Sequence, residues 1–150
     1  MISTTTLYGS CHCGLLRVAF STVQDPATLA PRACDCSFCR KHGAAYVSDP
    51  AGGLSIQAHG DALQRYRQGS NNADFLLCGR CGVLAAVLFE HRSRLYGAVN
   101  AGCLDDVARL AVAVSASPQT LSADDKISRW IRLWVPDVQL TLSDAGMEEA

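Results

Sequence analysis

The sequence predicts a mainly β domain with short helices and zinc knuckles. Three observations carry that expectation: short segments in which apolar residues alternate with polar ones, turn-forming clusters between them, and cysteines gathered in close-set groups. The first segment is "GLLRVAFS" at 14–21, where Leu16, Val18 and Phe20 share one face and Arg17, Ala19 and Ser21 the other. Further strands are expected at 44–47 (AAYV), 54–58 (LSIQA), 73–77 (ADFLL), 83–90 (VLAAVLFE) and 94–99 (RLYGAV). "DPAGG", "QGSNN" and "CGRCG" supply turns between most of them. Helical signal is thin and confined to "LDDVARLA" at 104–111 and "DKISRWIRLW" at 125–134.

Composition bounds the function. The chain has 150 residues, 49% of them hydrophobic, and a formal charge of -1, the profile of a single core-forming domain. We expect that domain to occupy residues 1–142, with an acidic, frayed tail at 143–150. The 13 Lys and Arg residues are scattered and aromatics make up only 7%, so no nucleic-acid partner is expected. The N-terminus "MISTTTLYGS" has neither a basic nor an apolar signal region, and no apolar run reaches the roughly 18 residues that a membrane span requires. A cytoplasmic location is the expectation, and in a reducing compartment close-set cysteines are metal ligands or catalytic groups more often than disulfides.

Seven of the eight cysteines fall into three clusters: Cys11-x-Cys13, Cys34-x-Cys36-x-x-Cys39 and Cys78-x-x-Cys81. Thiolates are soft ligands, a tetrahedral ion wants four of them, and pairs one or two residues apart let a tight turn aim both sulfurs at one ion. Two pairs make a closed set, so Cys11, Cys13, Cys78 and Cys81 are the candidate structural zinc site. Disulfides or an iron–sulfur cluster are the alternatives there. The remaining three thiols are one short. Closed sites are structural and open ones catalytic, so Cys34, Cys36 and Cys39 are the candidate catalytic zinc site, giving two zinc ions per chain. The competing reading closes this second site with His42 or Cys103, although the isolated Cys103 fits better as a small buried apolar residue.

At these residues the sequence resembles the family of the glutathione-dependent formaldehyde-activating enzyme, the GFA or CENP-V domain. The resemblance rests on "GSCHCG" at 9–14, "CDCSFCRKHG" at 34–43, "CGRCG" at 78–82 and "VNAGCLDD" at 99–106. It implies an Mss4-like complex β-sheet fold, a structural zinc on the closed set and a catalytic zinc on the trio. It also implies a carbon–sulfur lyase reaction between glutathione and formaldehyde. One departure is visible: family members read Phe-Cys before the last knuckle, whereas Leu76 and Leu77 here separate Phe75 from Cys78, a change expected to alter a neighbouring pocket.

Charge adds a requirement. Zinc with three thiolates carries -1 and a fourth thiolate makes it -2, which an apolar site does not tolerate unpaired. Arg40 and Lys41 directly follow the last ligand and are candidates to offset that charge or hold a substrate carboxylate; alternatively they lie on a solvated loop. His42 is the candidate proton donor, because imidazole titrates near neutral pH. His12, between two inward-pointing ligands, is expected to point away, and His59 and His91 to be structural or exposed. Tyr46, Tyr66 and Trp130 are either core or pocket wall. The partners expected are therefore glutathione or another small thiol and a small aldehyde, with no membrane. The competing functions are a non-catalytic zinc scaffold and a redox sensor that ejects zinc on oxidation.

Overall fold

A computed structural model describes residues 3–143 and contains two sheets. The smaller is built from β1 (Thr5–Ser10), β2 (Leu16–Thr22), β5 (Gly53–His59) and β11 (Gln139–Ser143), in the order β1-β2-β5-β11. The larger has the order β10-β3-β4-β9-β8-β7-β6. Its strands are β3 (Arg32–Cys34), β4 (Ala45–Val47), β6 (Leu63–Tyr66), β7 (Asp74–Cys78), β8 (Leu84–His91), β9 (Arg94–Asn100) and β10 (Val114–Ala116). Two α-helices, α1 (Ser37–His42) and α2 (Ala123–Leu133), complete the regular structure together with short 3-10 turns.

Every expected strand is present, and the alternation in β2 decides its orientation: Leu16, Val18 and Phe20 are buried while Arg17 is exposed. Strand β8 is different, being buried continuously from Leu84 to Phe89. A strand reads this way when both of its faces are covered. Ala86 and Leu88 pack between the sheets with Phe20, Ile56 and Val99. Val87 and Phe89 point to the opposite face, where Tyr46, Phe75, Trp130 and Trp134 form a second core under α2.

Helix α2 starts where the sequence supplies a cap: Ser122 Oγ accepts the Asp125 N–H at 3.1 Å, and Asp124 and Asp125 occupy the first turn. Beyond its end, Gly97 and Val135 exchange backbone hydrogen bonds of 3.0 and 2.9 Å, which ties the segment after α2 to β9. A Cβ at Gly97 would lie 2.6 Å from Leu88 Cδ2 and 3.0 Å from Val138 Cγ2, so a larger residue there would force those core side chains to shift.

Two expectations about helices change. Residues 104–111 form only a 3-10 turn at Val107–Arg109, because β1 has already taken the start of that segment. Leu104 bridges Gly9 and the Asp105 N–H donates to Tyr8 O at 2.8 Å. Conversely, α1 arises inside the cysteine trio: Cys36 serves as its N-cap, its Sγ accepting the Cys39 N–H at 3.4 Å, and Gly43 closes it in the left-handed region at φ 62°. At the C-terminus, β11 includes Ser143, paired with His59, one residue into the segment expected as tail. The rest of that tail, 144–150, lies outside the described residues. Among the described residues, no helix is long and apolar enough to cross a membrane.

Candidate metal centres

The fold brings Cys11 and Cys13, in the turn after β1, to Cys78 at the end of β7 and Cys81 in the following turn. All four sulfurs lie within 4.8 Å of one another, with Cys11–Cys13 at 3.7 Å and Cys13–Cys78 at 3.5 Å. Zinc–sulfur bonds of about 2.3 Å set tetrahedron edges of about 3.8 Å, so the donor set fits this ion. Backbone N–H groups point at the sulfurs: Leu16 at Cys11 (3.3 Å), and Arg80 and Cys81 at Cys78 (3.4 Å each). Gly82, at φ 82°, lets the knuckle turn back so that its N–H reaches Cys78 O at 2.8 Å. The thiols do not share one acidity. Burial pushes Cys11 up to about 12. At Cys81 burial also raises the pKa, but the Cys13 and Val83 N–H groups and the Cys78 and Cys11 thiols more than offset it and bring it to about 6. None of the eight cysteines is paired in a disulfide.

The second set stands at the strand-to-helix junction, with Cys34 ending β3, Cys36 capping α1 and Cys39 inside it. Their sulfurs also lie within 4.8 Å of one another, and among the described residues no further Cys, His, Asp or Glu joins them. Cys103 lies elsewhere, buried beside Cys11 and Cys78, with its thiol donating to Leu84 O at 3.4 Å and its pKa pushed up to about 11 by burial. His42 is exposed on the last turn of α1, its ring 4.7 Å from that of Phe38. Neither candidate closes the trio. The groups that do touch it are hydrogen-bonding ones: Tyr46 Oη is 3.2 Å from Cys39 Sγ, and Gln68 Nε2 is 3.9 Å from Cys36 Sγ. Hydrogen bonding from Cys39, helped by the Cys36 N–H, brings Cys34 down to about 6. Cys39 moves up, first through Cys34 and then through burial. Burial and the neighbouring Cys39 hold the Tyr46 phenol well above its ordinary value, so it stays protonated.

The trio opens into a cavity of about 100 Å³. Arg32, Lys126 and Arg129 line it, and among the described residues none of the three has a carboxylate within ion-pair distance; the ion pairs are Arg65 and Arg67 with Asp74, and Arg94 with Asp137. Burial and the adjacent Arg129 lower Arg32 to about 10, which still leaves it cationic at neutral pH. Arg129 is likewise lowered by burial, while Cys34 works in the opposite direction. Arg32 is held in place through Ser48: its Nη2 donates to Ser48 Oγ at 2.7 Å, and that hydroxyl donates to Leu133 O at 2.7 Å.

Arg40, Lys41 and His42 are exposed at the end of α1, and none of them lines the cavity. Of the aromatics, Tyr46 and Trp130 do line it, whereas Tyr66 is half exposed and stacks on Phe38 at 5.0 Å. His12 is exposed, and His59 and His91 are half-buried away from the cavity. Sequence reasoning missed Arg32, although strand alternation places it on the same face as Cys34 two residues later. It also missed Lys126 and Arg129, whose link to the trio exists only in the tertiary structure.

Residues 6–120 match the family described as "Glutathione-dependent formaldehyde-activating enzyme". The chain belongs to this family. A crystal structure of a Rhodobacter sphaeroides protein, a structural genomics target, shares the fold with a TM-score of 0.52 and 24% identity, covering 71% of this chain and 99% of its own. Phe75 lines the cavity, Leu76 enters the inter-sheet core, and the β7–β8 register shifts between Leu76 and Leu77.

Proposed function

We propose that the chain adds the thiol of glutathione to formaldehyde, giving S-hydroxymethylglutathione in a carbon–sulfur lyase-type equilibrium, at the cavity beside Cys34, Cys36 and Cys39. The supporting observation is a set of three converging thiols at the wall of a cavity lined by three cations, with no fourth protein ligand and no ion pair to those cations among the described residues. The donor set suits zinc, and a zinc ion held there supplies a positive centre that favours the thiolate form of an incoming thiol.

The chain's own groups divide the remaining work. Arg32, Lys126 and Arg129 hold the carboxylates of glutathione and balance the negative charge of the trio, the role first expected of Arg40 and Lys41. Tyr46 keeps its proton and so acts as a hydrogen-bond donor to the Cys39 sulfur, not as an acid. As the sulfur–carbon bond forms, the carbonyl π pair moves to oxygen, and that oxygen takes a proton equivalent to the one the thiol gave up. Solvent at the cavity mouth delivers it.

Thiols and unhindered aldehydes combine without a catalyst, so the test must measure exchange above background. Hemithioacetal exchange followed by NMR is expected to be faster with the zinc-loaded protein than with Cys36→Ser. Equal rates for the two proteins would remove the enzymatic reading and leave a zinc scaffold.

A further inference from the structure

The wall of the trio's cavity divides by chemistry. Gln68, Ser70, Gln119 and the three cations offer hydrogen bonds and charge, whereas Ala73, Phe75, Val87, Trp130 and Trp134 offer an almost wholly carbon surface. These five belong to one buried cluster. Phe75 faces Val87 across the β7–β8 ladder, and the Trp130 and Trp134 rings stack at 5.0 Å and 19°. The apolar side is therefore built from adjoining pieces of the core.

Glutathione has little use for such a surface. Its carboxylates, ammonium and two amides each lose water there and find no partner, a cost that grows with every polar group buried unpaired. The polar side suits that peptide body, which leaves the apolar side to the other reactant. Formaldehyde has no substituent to place there.

We propose that the site also accepts aldehydes that carry an apolar substituent, an aryl ring or a branched alkyl chain, which packs on Phe75, Val87, Trp130 and Trp134. This rests on the glutathione reading above and widens only the range of the second substrate. The addition balances as before: the sulfur–carbon bond forms, the carbonyl π pair passes to oxygen, and oxygen gains the proton equivalent lost by sulfur, with no oxidant or reductant.

Two thioethers test it without turnover. S-methylglutathione mimics the formaldehyde adduct and S-benzylglutathione the adduct of an aryl aldehyde, and neither has a free thiol. Calorimetric titration of the zinc-loaded protein is expected to show S-benzylglutathione binding at least about tenfold tighter, from the apolar area removed from water. Ala73→Leu, which fills the apolar side, and Trp130→Phe, which trims it, are each expected to bring that ratio toward one. Equal binding, or tighter binding of the methyl compound, overturns the proposal while leaving the glutathione reading intact. If glutathione itself does not bind in the same titration, the glutathione reading fails and this proposal fails with it; if glutathione binds and neither thioether does, this proposal alone fails.

Discussion

The two cysteine sets use the same ligand atom and differ in nearly everything around it. Cys11, Cys13, Cys78 and Cys81 sit on two turns that face each other; Cys13 is exposed, the other three pack against Leu16, Ala58 and Ala85, and backbone N–H groups point at three of the sulfurs. Cys34, Cys36 and Cys39 sit on a strand end and a six-residue helix, with the Cys39 N–H at Cys36 Sγ, the Tyr46 and Gln68 side chains at the sulfurs as well, and a cavity on one side. A site enclosed by backbone is fixed by the fold, and it fixes the fold in return. A site bordered by side chains and a cavity is open to a ligand, and its surroundings can be altered without disturbing the architecture.

Removing one ligand from each set breaks the comparison most directly. Structural zinc in small domains contributes on the order of 10 kcal/mol, so Cys78→Ser is expected to unfold the protein at room temperature. Cys36→Ser is expected to melt cooperatively near the wild-type temperature with one zinc ion fewer per chain, since serine still caps α1. Thermal melts paired with zinc quantification by elemental mass spectrometry check both. A folded Cys78→Ser together with an unfolded Cys36→Ser would invert the assignment of the two sites.

A smaller effect is expected at the cavity wall. Arg129→Gln removes a cation that has no carboxylate partner among the described residues, and a hydrogen bond to a charged group is worth about 1.5–3 kcal/mol. The glutathione KM for catalysed exchange is expected to rise about tenfold or more, with the thermal midpoint nearly unchanged. The same substitution at Arg40, exposed on α1, is expected to change KM little. Equal effects at the two positions would return the charge-balancing role to α1.

Comparing how acid strips metal from the two sites requires that acid unfolding be separated from ion loss, and Asp49 provides the means. This buried carboxylate accepts from Thr22 Oγ1 (2.7 Å), Val23 N (3.0 Å) and Ala51 N (2.9 Å). Burial alone raises its pKa, but these donors more than reverse that and hold it below the ordinary carboxylate value. A depressed folded pKa gives stability that is full above the unfolded value, about 3.9, and is lost as pH falls through the folded one. Asp49→Asn is expected to cost about 1–3 kcal/mol at neutral pH and to flatten the acid limb of the stability profile below pH about 4. Urea melts from pH 3 to 7 measure this, and an unchanged acid limb would assign the loss to other groups.

Much of this contrast was legible before folding, because ligand identity and spacing are local properties. Cys11-x-Cys13 and Cys78-x-x-Cys81 announced a four-thiol site, and the leftover trio announced an incomplete one. Strands with period-two alternation were legible for the same reason. What escaped depends on contacts distant in sequence. Strand β11 is held by parallel pairing with β5, and 104–111 gives up its helix to bonds with β1. Cysteine is not an ordinary helix cap, so α1 was hidden inside the motif it serves. The cations were misplaced because adjacency along the chain was taken for adjacency in space. Arg40 follows Cys39 directly yet faces solvent, while Arg129 reaches the trio's cavity from a helix 90 residues further along.

The smallest expected effect tests whether side chains at the open site act on its chemistry or only on its packing. Tyr46→Phe keeps the buried ring and deletes the hydroxyl that lies 3.2 Å from Cys39 Sγ. Net hydrogen bonds are worth about 0.5–1.5 kcal/mol, and this phenol touches a sulfur, so stability is expected to change by about 1 kcal/mol or less. Because the hydroxyl is neutral throughout the working range, its loss is expected to lower the catalysed exchange rate a few-fold at every pH, without shifting the profile. A profile displaced along the pH axis would make Tyr46 a titrating acid. An unchanged rate, with zinc content intact, would make it a core residue that happens to end at the metal site.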